Sequence, residues 1–492
     1  MSELHLTNLW SRIVKLYYDS LTSFLKANPY TGKERINNLY KISIVGAGYV
    51  GLCTAVCFAN RGYKTTISDI REESVRLIQR GSSPFYEPHL NELLKKAIKS
   101  GNLRAILDRE GAILDSEITF IAVGTPSTLD GSVDLHYVKN SAIETGEALR
   151  KKDGYHLVVV KSTVLPGTTE HVVESILEKK SGKKAGKDFG LCMNPEFLRE
   201  GSAIQDTMKP DRVIVGEHDE RSGETLEAFY NDFYNGRVPI LRMNPTSAEM
   251  VKYASNAFLA TKISFINSIA NVCERTPNTD VTQVAKAVGM DHRISPHFLE
   301  AGAGFGGSCF PKDVKALIGF SKNLSYVPTL LESVLEVNEG QAERMVELAR
   351  QALGRLNGKK VAVLGLAFKP DTDDVREAPS IRIISLLLRE RASVCAYDPI
   401  ATENAKAIFD GKIDFARSSI ECLKNADCCM VATEWSEFKT LKPGAFLKHM
   451  KRPIIVDGRR IYNPSEFSRE LKYIAIGLGQ ERYQEKSSHK GD

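Results

Sequence analysis

The chain has 492 residues, of which 42% are hydrophobic and 26% charged, and its net charge at neutral pH is +5. This length exceeds what one hydrophobic core supports and predicts two or three domains, while the composition is typical of a soluble globular protein. The small positive charge suits anionic small ligands and falls short of the basic surface of a nucleic-acid-binding protein, and no apolar run reaches the roughly 18 residues of a membrane-spanning helix.

The cysteines and the N-terminal segment help to predict the cellular compartment. The nine cysteines are scattered, and none forms a C-x-x-C pair with the spacing of a zinc site. The N-terminus lacks the basic-then-apolar order of a secretory signal. We therefore expect free thiols in a reducing, cytoplasmic environment, and no metal site.

The two ends of the chain differ from the rest. Apolar residues between Trp10 and Leu25 recur at helical spacing, so residues 1–38 are expected to form an N-terminal extension with an amphipathic helix. A packing or oligomerisation helix is favoured over a membrane-surface helix, because the polar face carries acids and serines as well as basic residues. The polar tail at residues 481–492 is expected to be disordered.

The first strong motif is KISIVGAGYVGL. A β-branched run, Ile42 to Val45, enters the G-x-G-x-x-G stretch at 46–51, a helix-favouring stretch follows, and a second strand ends at Asp69, about 20 residues after the glycines. Such glycines permit a tight turn, close approach of the backbone to a pyrophosphate, and helix–strand packing. Asp69 would bind the adenosine ribose and repel the 2′-phosphate of NADP, so the motif predicts an NAD site.

The strands that follow end in polar residues. EITFIAVGTPS predicts a strand with Thr125 in its terminal turn. YHLVVVKSTVLPGTT predicts one ending at Lys161, Ser162 and Thr163, and GLCMNPEFLREG predicts one ending at Asn194-Pro195-Glu196. Ligands of parallel sheets bind at the carboxyl ends of strands, so these residues are expected at one functional edge. Ordinary turn chemistry remains the alternative for each residue taken singly.

A long helix is predicted next. SAEMVKYASNAFLATKISFINSIANVCERT has helical periodicity over about 30 residues. Lys252 and Asn256 are four positions apart and therefore share a face. A lysine beside an amide can hold a developing oxyanion, although a solvated polar face is the more common meaning of this pattern alone.

Residues 302–313 read GAGFGGSCFPKD. No β-run precedes the glycines, so a dinucleotide loop is rejected. The small residues from Gly302 to Ser308 are expected to let a ligand approach the backbone, which makes Cys309 reachable. Lys312 and Asp313 follow at about one helical turn, where a cation lowers a thiol pKa and a carboxylate orients or deprotonates water. Spacing alone leaves open both a reactive thiol and a loop cysteine with incidental neighbours.

A reactive thiol and a nicotinamide cofactor together suggest one reaction. An alcohol oxidised once gives an aldehyde, and a second oxidation requires a tetrahedral adduct that can release another hydride. A thiolate supplies that adduct as a thiohemiacetal, and water then hydrolyses the resulting thioester. The combination predicts a four-electron dehydrogenase.

The C-terminal part begins a second α/β unit. GKKVAVLGLAFKPDTDDVREAPS predicts a strand from Val361 to Leu364 and a long polar loop, and ASVCAYDP, DCCMVATEW and PIIVDGRR predict further strands. This pattern indicates a second doubly wound sheet without a full glycine motif. Lys369, Arg376 and Arg459 suit the diphosphate of a nucleotide-linked substrate, with solvated loop charges as the alternative.

Eight segments in chain order resemble the UDP-glucose 6-dehydrogenase family: GAGYVGL, VGTPS, STVLPGTT, NPEFLREGSAI, KYASNAFLA, GFGGSCFPKD, LGLAFKPDTDDVREAPS and VDGRR. The resemblance implies an α/β fold of two Rossmann-like doubly wound domains joined by a long central helix. It implies an NAD-binding domain at 39–245, a central helical dimerisation domain at 246–345 and a UDP-sugar-binding domain at 346–480. It also implies oxidation of UDP-glucose to UDP-glucuronate with two NAD per turnover, by a dimer or a multiple of dimers.

The resemblance also implies roles for single residues. Cys309 matches the nucleophile, Lys252 and Asn256 the oxyanion-stabilising pair, and Asp313 the carboxylate that assists water and Lys252. Glu196 matches the acid/base glutamate, and Thr163 the residue near the catalytic water. The expected cofactor contacts are Gly46, Ala47, Gly48, Tyr49, Val50, Gly51, Asp69, Thr125, Ser162, Glu200 and Arg376. The expected substrate contacts are Glu196, Phe197, Leu198, Lys252, Asn256, Arg293, Gly304, Phe305, Gly306, Phe368, Lys369 and Arg459, with Arg293 reaching into the neighbouring subunit's site.

Three alternatives stay open at this point. The same chemistry can act on another nucleotide sugar, such as GDP-mannose or a UDP-N-acetylhexosamine. A simple two-electron dehydrogenase would use Cys309 only structurally. A non-catalytic nucleotide-sugar sensor would keep the fold, but a binder has no need of a nucleophile, so the set of Cys309, Lys252, Asn256 and Asp313 argues against it.

Overall fold

The computed structural model describes residues 40–128 and 131–479. The helix predicted within residues 1–38 and the tail predicted at 481–492 lie outside the described residues. The described residues form one compact unit, and the domain boundaries expected within it stay predictions.

Within the described residues, the first sheet has eight strands. They are β1 Ile42–Val45, β2 Thr65–Ser68, β3 Leu103–Ile106, β4 Ile118–Ile121, β5 Leu157–Val160, β6 Gly190–Met193, β7 Val213–Glu217 and β8 Ile240–Met243. Their order is β3-β2-β1-β4-β5-β6-β7-β8, and only the β6–β7 pair is antiparallel. The strands β3, β7 and β8 were not predicted. The strands β3 and β8 each mix apolar residues with an arginine, whereas β7 carries a β-branched run, Val213 to Val215, that sequence reasoning missed.

Helices cover both faces of this sheet, which explains why every residue of the central strands β1, β4, β5 and β6 is buried, with no alternation between buried and exposed positions. They are α1 Tyr49–Asn60, α2 Glu72–Gln79, α3 Leu90–Lys99, α4 Arg109–Leu114, α5 His136–Lys151, a π-helical turn Thr169–Val173 leading into α6 Glu174–Ser181, α7 Ala203–Met208 and α8 Glu220–Tyr234.

The middle of the chain is helical. Its helices are α9 Pro245–Cys273, α10 Val281–Gly289, α11 Phe310–Asn323 and α12 Thr329–Leu353. The 29-residue helix α9 begins where the side chain of Asn244 accepts a hydrogen bond from the N–H of Ser247, with proline at the first helical position. Its buried face packs against α11 and α12, so it connects the two halves of the molecule.

The second sheet has six strands among the described residues, all parallel. They are β9 Lys360–Leu364, β10 Ser393–Tyr397, β11 Asp414–Phe415, β12 Cys428–Val431, β13 Ile454–Asp457 and β14 Lys472–Ala475, in the order β11-β10-β9-β12-β13-β14. Its helices are α13 Pro379–Arg389, α14 Thr402–Phe409, α15 Ser419–Leu423, α16 Ser436–Lys439, α17 Pro443–His449 and α18 Pro464–Glu470.

Each sheet has one point where the strand order reverses. It lies between β1 and β4 in the first sheet and between β9 and β12 in the second. Ligands of doubly wound sheets bind at the carboxyl ends of strands at this point. The predicted fold of two doubly wound sheets joined by a long central helix is therefore confirmed.

A buried polar network lies between strands of the first sheet. His156 is fully buried, with Nε2 2.8 Å from the hydroxyl of Thr119 and Nδ1 3.0 Å from the carbonyl of Ser116. The hydroxyl of Ser43 completes the network at 2.6 Å from that of Thr119. Burial, together with a smaller effect of the charge of Lys152, lowers the pKa of His156 to about 3.

We expect His156 to make the protein less stable as the pH falls. Below the ordinary histidine pKa of 6.5 the unfolded chain takes up a proton that the folded protein accepts only at about 3. The free energy of unfolding should therefore decrease by up to about 1.4 kcal/mol per pH unit between these values. His156→Asn removes this titration, so urea unfolding at about pH 7, 6 and 5 should show a weaker pH dependence.

The control for this experiment is His292→Asn, which changes an exposed histidine. It should keep the pH dependence of the wild type. If His156→Asn and the wild type lost the same free energy of unfolding per pH unit, the assignment of this dependence to His156 would be wrong.

Candidate active site

The segment that carries Cys309 packs against main chain from loops of the second sheet. A Cβ added at Gly306 would lie 2.3 Å from the carbonyl oxygen of Glu377, and one added at Gly302 would lie 2.7 Å from that of Gly458. We expected the small residues to admit a ligand. At these two positions they admit neighbouring main chain instead, which brings the loops of the second sheet to the cysteine.

Two asparagines from separate helices hold the same segment. The Oδ1 of Asn267 on α9 accepts a hydrogen bond from the N–H of Gly302 (2.8 Å). On α12, Asn338 accepts from the N–H of Phe305 (2.7 Å) and donates to its carbonyl (3.0 Å). The segment has no regular secondary structure, so these amides satisfy main-chain groups that a strand partner would otherwise bind. Sequence reasoning missed both residues.

Cys309 lies at the start of α11 and is exposed. Desolvation by the surrounding protein nevertheless raises the pKa of its thiol, and the charge of Lys252 opposes this shift. We expected the cation that follows in the sequence to lower this pKa. Lys312 instead binds the Oδ1 of Asp313 (2.7 Å), so Lys252 is the cation that favours the thiolate.

A buried ion pair lies beside the cysteine. The Nζ of Lys252 is 3.0 Å from the Oε1 of Glu196, and the two side chains are 4% and 7% exposed. The hydroxyl of Thr163 donates to the same oxygen (3.3 Å), whereas the Oε2 of Glu196 is buried and has no partner among the described residues. Burial alone lowers the pKa of Lys252, but the charges of Glu196, Cys309 and Asp313 outweigh it and raise the pKa. Lys252 is therefore a cation, and Glu196 has one oxygen free to take a proton.

A second carboxylate is fixed from two sides. The Nδ2 of Asn256 donates to the Oδ2 of Asp313 (2.6 Å), and Lys312 binds the other oxygen. Lys252 and Asn256 lie on the buried face of α9, and α11 presents Asp313 to that face. The structure thus brings together an amide, an ammonium group and a carboxylate near the thiol.

Glu200 connects the cysteine segment with the loop that follows β9. Its Oε1 accepts from the hydroxyl of Ser308 (3.0 Å) and lies 3.4 Å from the Nη2 of Arg376, while its Oε2 is 3.5 Å from the hydroxyl of Thr372. Burial raises the pKa of Glu200 to about 7, Asp374 adds to the shift and Arg376 opposes it. A carboxyl group that titrates near neutral pH therefore joins three segments of the site.

The glycine motif after β1 forms a cradle. Gly46 has a φ of +104°, and a Cβ there would lie 2.7 Å from the carbonyl oxygen of Ala122, while a Cβ at Gly51 would lie 1.9 Å from the carbonyl oxygen of Gly46. At Gly48 no heavy atom lies within 4 Å of such a Cβ, which leaves room for a ligand. The helix α1 begins at Tyr49, so its free N–H groups face the same space. These residues fit the pyrophosphate of a dinucleotide.

Asp69 follows β2 and faces this cradle. Its Oδ2 accepts from the N–H of Ala47 (2.7 Å), and its Oδ1 accepts from the N–H of Arg71 (2.9 Å). Ile70 and Leu107 follow neighbouring strands and are 68% and 51% exposed. They leave an apolar surface beside Asp69 that suits an adenine ring. Sequence reasoning missed this surface, although an apolar residue directly after a buried strand is a visible signal.

The other residues expected on the first sheet lie around the same edge. Thr125 is buried in the turn after β4, and the hydroxyl of Ser162 donates to the main chain of the neighbouring strand end (2.7 Å). The ring centre of Phe197 is 5.6 Å from the Nζ of Lys252. Val50 and Leu198 are partly buried against the core of the first sheet, so they support this edge from beneath.

Four further residues were expected to bind substrate: three lie on loops of the second sheet, and Arg293 follows α10. The ring of Phe368 lies against Gly307, and Lys369, whose pKa is lowered by burial, lies 5.5 Å from that ring. The Nη2 of Arg459 is buried without a partner among the described residues. Arg293 does not join them: its guanidinium is exposed and bound to a neighbouring aspartate.

Three family models match the chain in order. They are the NAD binding domain (residues 40–234), the central domain (246–340) and the UDP binding domain (362–464) of the UDP-glucose/GDP-mannose dehydrogenase family. The chain belongs to this family. The predicted cofactor and enzyme class are confirmed, since the protein is an NAD-dependent oxidoreductase.

Individual relatives are similar over almost their whole length. The chain is 45% identical over 428 residues to UDP-glucose 6-dehydrogenase AglM of Haloferax volcanii, covering 87% of this chain and 98% of that protein. It is 40% identical over 448 residues to the UDP-glucose 6-dehydrogenase of Pseudomonas aeruginosa, with coverages of 90% and 98%. The solved UDP-glucose dehydrogenase of Pyrobaculum islandicum superposes with a TM-score of 0.84 at 40% identity, with coverages of 91% and 100%.

Two further findings concern what the described residues contain. None of their helices is both long enough and apolar enough to cross a membrane. Nor does the described part of the chain gather three or more histidine, cysteine, aspartate or glutamate side chains in an arrangement that could hold a metal ion.

We expect NAD to be preferred over NADP, because Asp69 would repel a 2′-phosphate. Asp69→Asn keeps an oxygen that can accept from Ala47 but removes the charge. The ratio of kcat/KM for NAD to kcat/KM for NADP should therefore fall by about tenfold or more, which is about 1.4 kcal/mol. Initial rates with UDP-glucose and each cofactor measure this ratio.

The control is Glu73→Gln, which removes an exposed acid on α2 and should leave the ratio unchanged. Equal kcat/KM for the two cofactors in the wild type would show that Asp69 does not select between them.

Proposed function

We propose that this protein oxidises UDP-glucose to UDP-glucuronate with two NAD per sugar, through a covalent intermediate on Cys309. The observation that carries the proposal is the exposed thiol of Cys309 beside buried Lys252, Asn256, Asp313 and Glu196. The substrate is supported by relatives of 40–45% identity that are named UDP-glucose 6-dehydrogenases.

The first oxidation needs a proton acceptor on the chain. NAD accepts the hydride in both oxidations. In the first, the sugar 6-hydroxyl loses its proton to the chain as C6 loses a hydride, which leaves an aldehyde. Glu196 is the best-placed acceptor, because its Oε2 is buried and unpartnered while Lys252 and Thr163 bind its Oε1.

The second oxidation uses the thiol. The thiol of Cys309 first loses its proton to solvent, and its Sγ then bonds to C6 of the aldehyde, whose C=O π bond breaks to give the oxyanion of a thiohemiacetal. Lys252 and Asn256 stabilise its oxyanion, since each has an N–H bond beyond the one that binds a carboxylate. Loss of a second hydride gives a thioester, and water cleaves its C–S bond, which releases the carboxylate and restores the thiol. Asp313 and Thr163 orient this water.

The nucleotide end of the substrate belongs to the second sheet in this proposal. Residues 362–464 match the family's UDP binding domain, and the buried, unpaired Nη2 of Arg459 suits an anionic group there. Other nucleotide sugars are the main alternative, since a UDP-D-ManNAc dehydrogenase of Pyrococcus horikoshii superposes with a TM-score of 0.79 at 29% identity, with coverages of 89% and 99%.

A substrate panel tests the choice of sugar. We expect kcat/KM for UDP-glucose to exceed that for UDP-N-acetylglucosamine, UDP-N-acetylmannosamine and GDP-mannose. A higher value for any of the other three would move the proposal to that sugar, and binding without turnover of all four would favour a sensor.

We also propose that the active form is a dimer built on α9. Exposed apolar residues recur along this helix at Met250, Phe258, Phe265 and Val272, which are 38%, 65%, 52% and 61% exposed. A spacing of seven or eight positions places them on one helix face. Water contact with such a stripe is unfavourable, and a second copy of α9 offers a matching stripe across a two-fold axis.

The proposed compartment is the cytoplasm. All nine cysteines lie in the described part of the chain and are free thiols. Free thiols at this number favour a reducing compartment.

The reaction stoichiometry tests the role of Cys309. The wild type should form two NADH per UDP-glucose without free aldehyde. Cys309→Ala should still bind both ligands in calorimetry but form almost no UDP-glucuronate, and supplied UDP-sugar aldehyde should not rescue it. Cys309→Ser is expected to form product far more slowly, because its hydroxyl is less ionised and its ester hydrolyses more slowly. One NADH per sugar in the wild type, or near-normal uronate from Cys309→Ala, would exclude the four-electron mechanism.

Mixing two inactive variants tests the dimer and Arg293 together. If Arg293 serves the partner's site, a heterodimer of Cys309→Ala and Arg293→Ala has one complete site. Random exchange should then restore activity at about a quarter of all sites. No recovery after verified exchange would place Arg293 in its own subunit's site or outside the site.

Phe265→Asp should shift the protein to a monomer in analytical ultracentrifugation, and a persistent dimer would contradict the proposed interface.

A further inference from the structure

We propose that Glu249 is a positioning residue that holds Thr163 against Glu196 and so sets the geometry of the acid/base group. This inference rests on the proposed function, in which Thr163 and Glu196 take part in the reaction. Glu249 itself contacts neither of them.

Glu249 binds the loop that follows β5. It lies on α9, and it is fully buried. Its Oε2 accepts from the N–H of Gly167 (2.6 Å), and its Oε1 accepts from both the N–H and the hydroxyl of Thr169 (2.8 and 2.6 Å). One carboxylate therefore fixes the end of a loop whose beginning carries Thr163.

These contacts form a closed ring. Thr163 and Lys252 both bind the Oε1 of Glu196, at 3.3 and 3.0 Å. Lys252 is one helical turn after Glu249 on the same buried face of α9. The ring runs from Glu196 to Thr163, along the loop to Glu249, along α9 to Lys252 and back to Glu196. Removal of Glu249 opens the ring on the side of Thr163 and leaves the side of Lys252 intact.

The hydrogen bonds of Glu249 to the loop of Thr163 indicate a role beyond core packing. In the described chain the carboxylate of Glu249 is bound by two main-chain N–H groups and a hydroxyl, and no cation pairs with it. Burial raises its pKa to about 7, and the nearby carboxylate of Glu170 adds to the shift, whereas the hydrogen bonds from Thr169 and Gly167 oppose it. A buried acid without a cation is costly to desolvate, and here three hydrogen bonds from the loop of Thr163 offset that cost. Its two oxygens fix two successive parts of one loop.

A double-mutant cycle tests whether Glu249 acts through Thr163. Glu249→Gln has the same shape but presents an NH₂ group to one of the N–H donors. Its single-turnover rate of NADH formation should fall about tenfold to a hundredfold, with KM for both ligands changed less than about threefold. Thr163→Val should cause a similar loss. The double variant should be no more than about threefold slower than the slower single variant, because both changes remove the same contact.

The opposite result of the cycle is equally clear. If the rate loss of the double variant equalled the product of the losses of the two single variants, Glu249 would act independently of Thr163 and the proposal would be overturned. If Glu249→Gln does not fold, Thr169→Val replaces it, since this change removes only the hydroxyl donor to Glu249. The double variant Thr169→Val with Thr163→Val should then again lose less rate than the product of its two single losses.

Thr246→Val is the matched control. The hydroxyl of Thr246 also connects α9 with this region, by donating to Glu170 (2.5 Å), but it lies beyond the loop of Thr163. Its loss should lower the melting temperature without changing the rate of NADH formation. A rate loss equal to that of Glu249→Gln would reduce the role of Glu249 to general packing.

Hydrogen–deuterium exchange separates this inference from the proposed function. Amides of residues 163–169 should exchange about tenfold faster or more in Glu249→Gln than in the wild type, and Thr246→Val should leave them unchanged. This readout needs no turnover. An unchanged exchange rate would overturn the positioning role, whereas faster exchange in a protein that does not oxidise UDP-glucose would contradict the proposed function alone.

Discussion

The whole site depends on the close packing of a glycine-rich segment against main chain of the second sheet. Gly302 and Gly306 have carbonyl oxygens where a Cβ would stand, so no larger residue fits there without moving a loop. This contact brings Phe368 to Gly307 and Arg459 to Gly302, in the segment that leads to Cys309. Four-electron chemistry requires such a meeting, because the carbon bonded to the sulfur must release a hydride to the same cofactor site that took the first one.

Charge compensation decides what the buried groups beside the thiol can do. Glu196 and Asp313 are each bound by one lysine, Lys252 and Lys312 respectively, and each also accepts from a neutral donor. Without these partners the desolvation of two carboxylates would outweigh any gain from placing them there. The pairing is incomplete in one respect, since one oxygen of Glu196 has no partner among the described residues. In a buried site an unsatisfied acceptor is unfavourable unless a ligand supplies a donor, so this oxygen is the natural acceptor for a substrate proton.

Much of the fold and part of the site could be predicted from the sequence, because their signals are local. The cradle around Gly46 and the acid Asp69 belong to one strand–helix–strand unit, whose spacing carries its own structural context. Asn267, Asn338 and Glu249 could not be predicted, because each is a polar residue within a helix and its partner is a main-chain group far along the chain. Helical periodicity shows which face such a residue occupies but not which loop that face meets. Gly302 and Gly306 show a similar limit: sequence shows that a Cβ is absent, and only the fold shows that a neighbouring loop takes its place at these two positions.

The raised thiol pKa of Cys309 fits the proposed chemistry. Cys309 is exposed, unlike the other eight cysteines, and a protonated thiol resists oxidation better than a thiolate does. Lys252 lies where its charge favours a thiolate, but desolvation outweighs it in the ligand-free site. When sulfur bonds to the aldehyde carbon, the negative charge moves from sulfur to the adjacent oxygen, a shift of two bonds. The ammonium that stabilises the first anion can therefore stabilise the second without moving. Because this interaction is strongest when the tetrahedral adduct forms, it lowers the barrier more than it stabilises the resting enzyme.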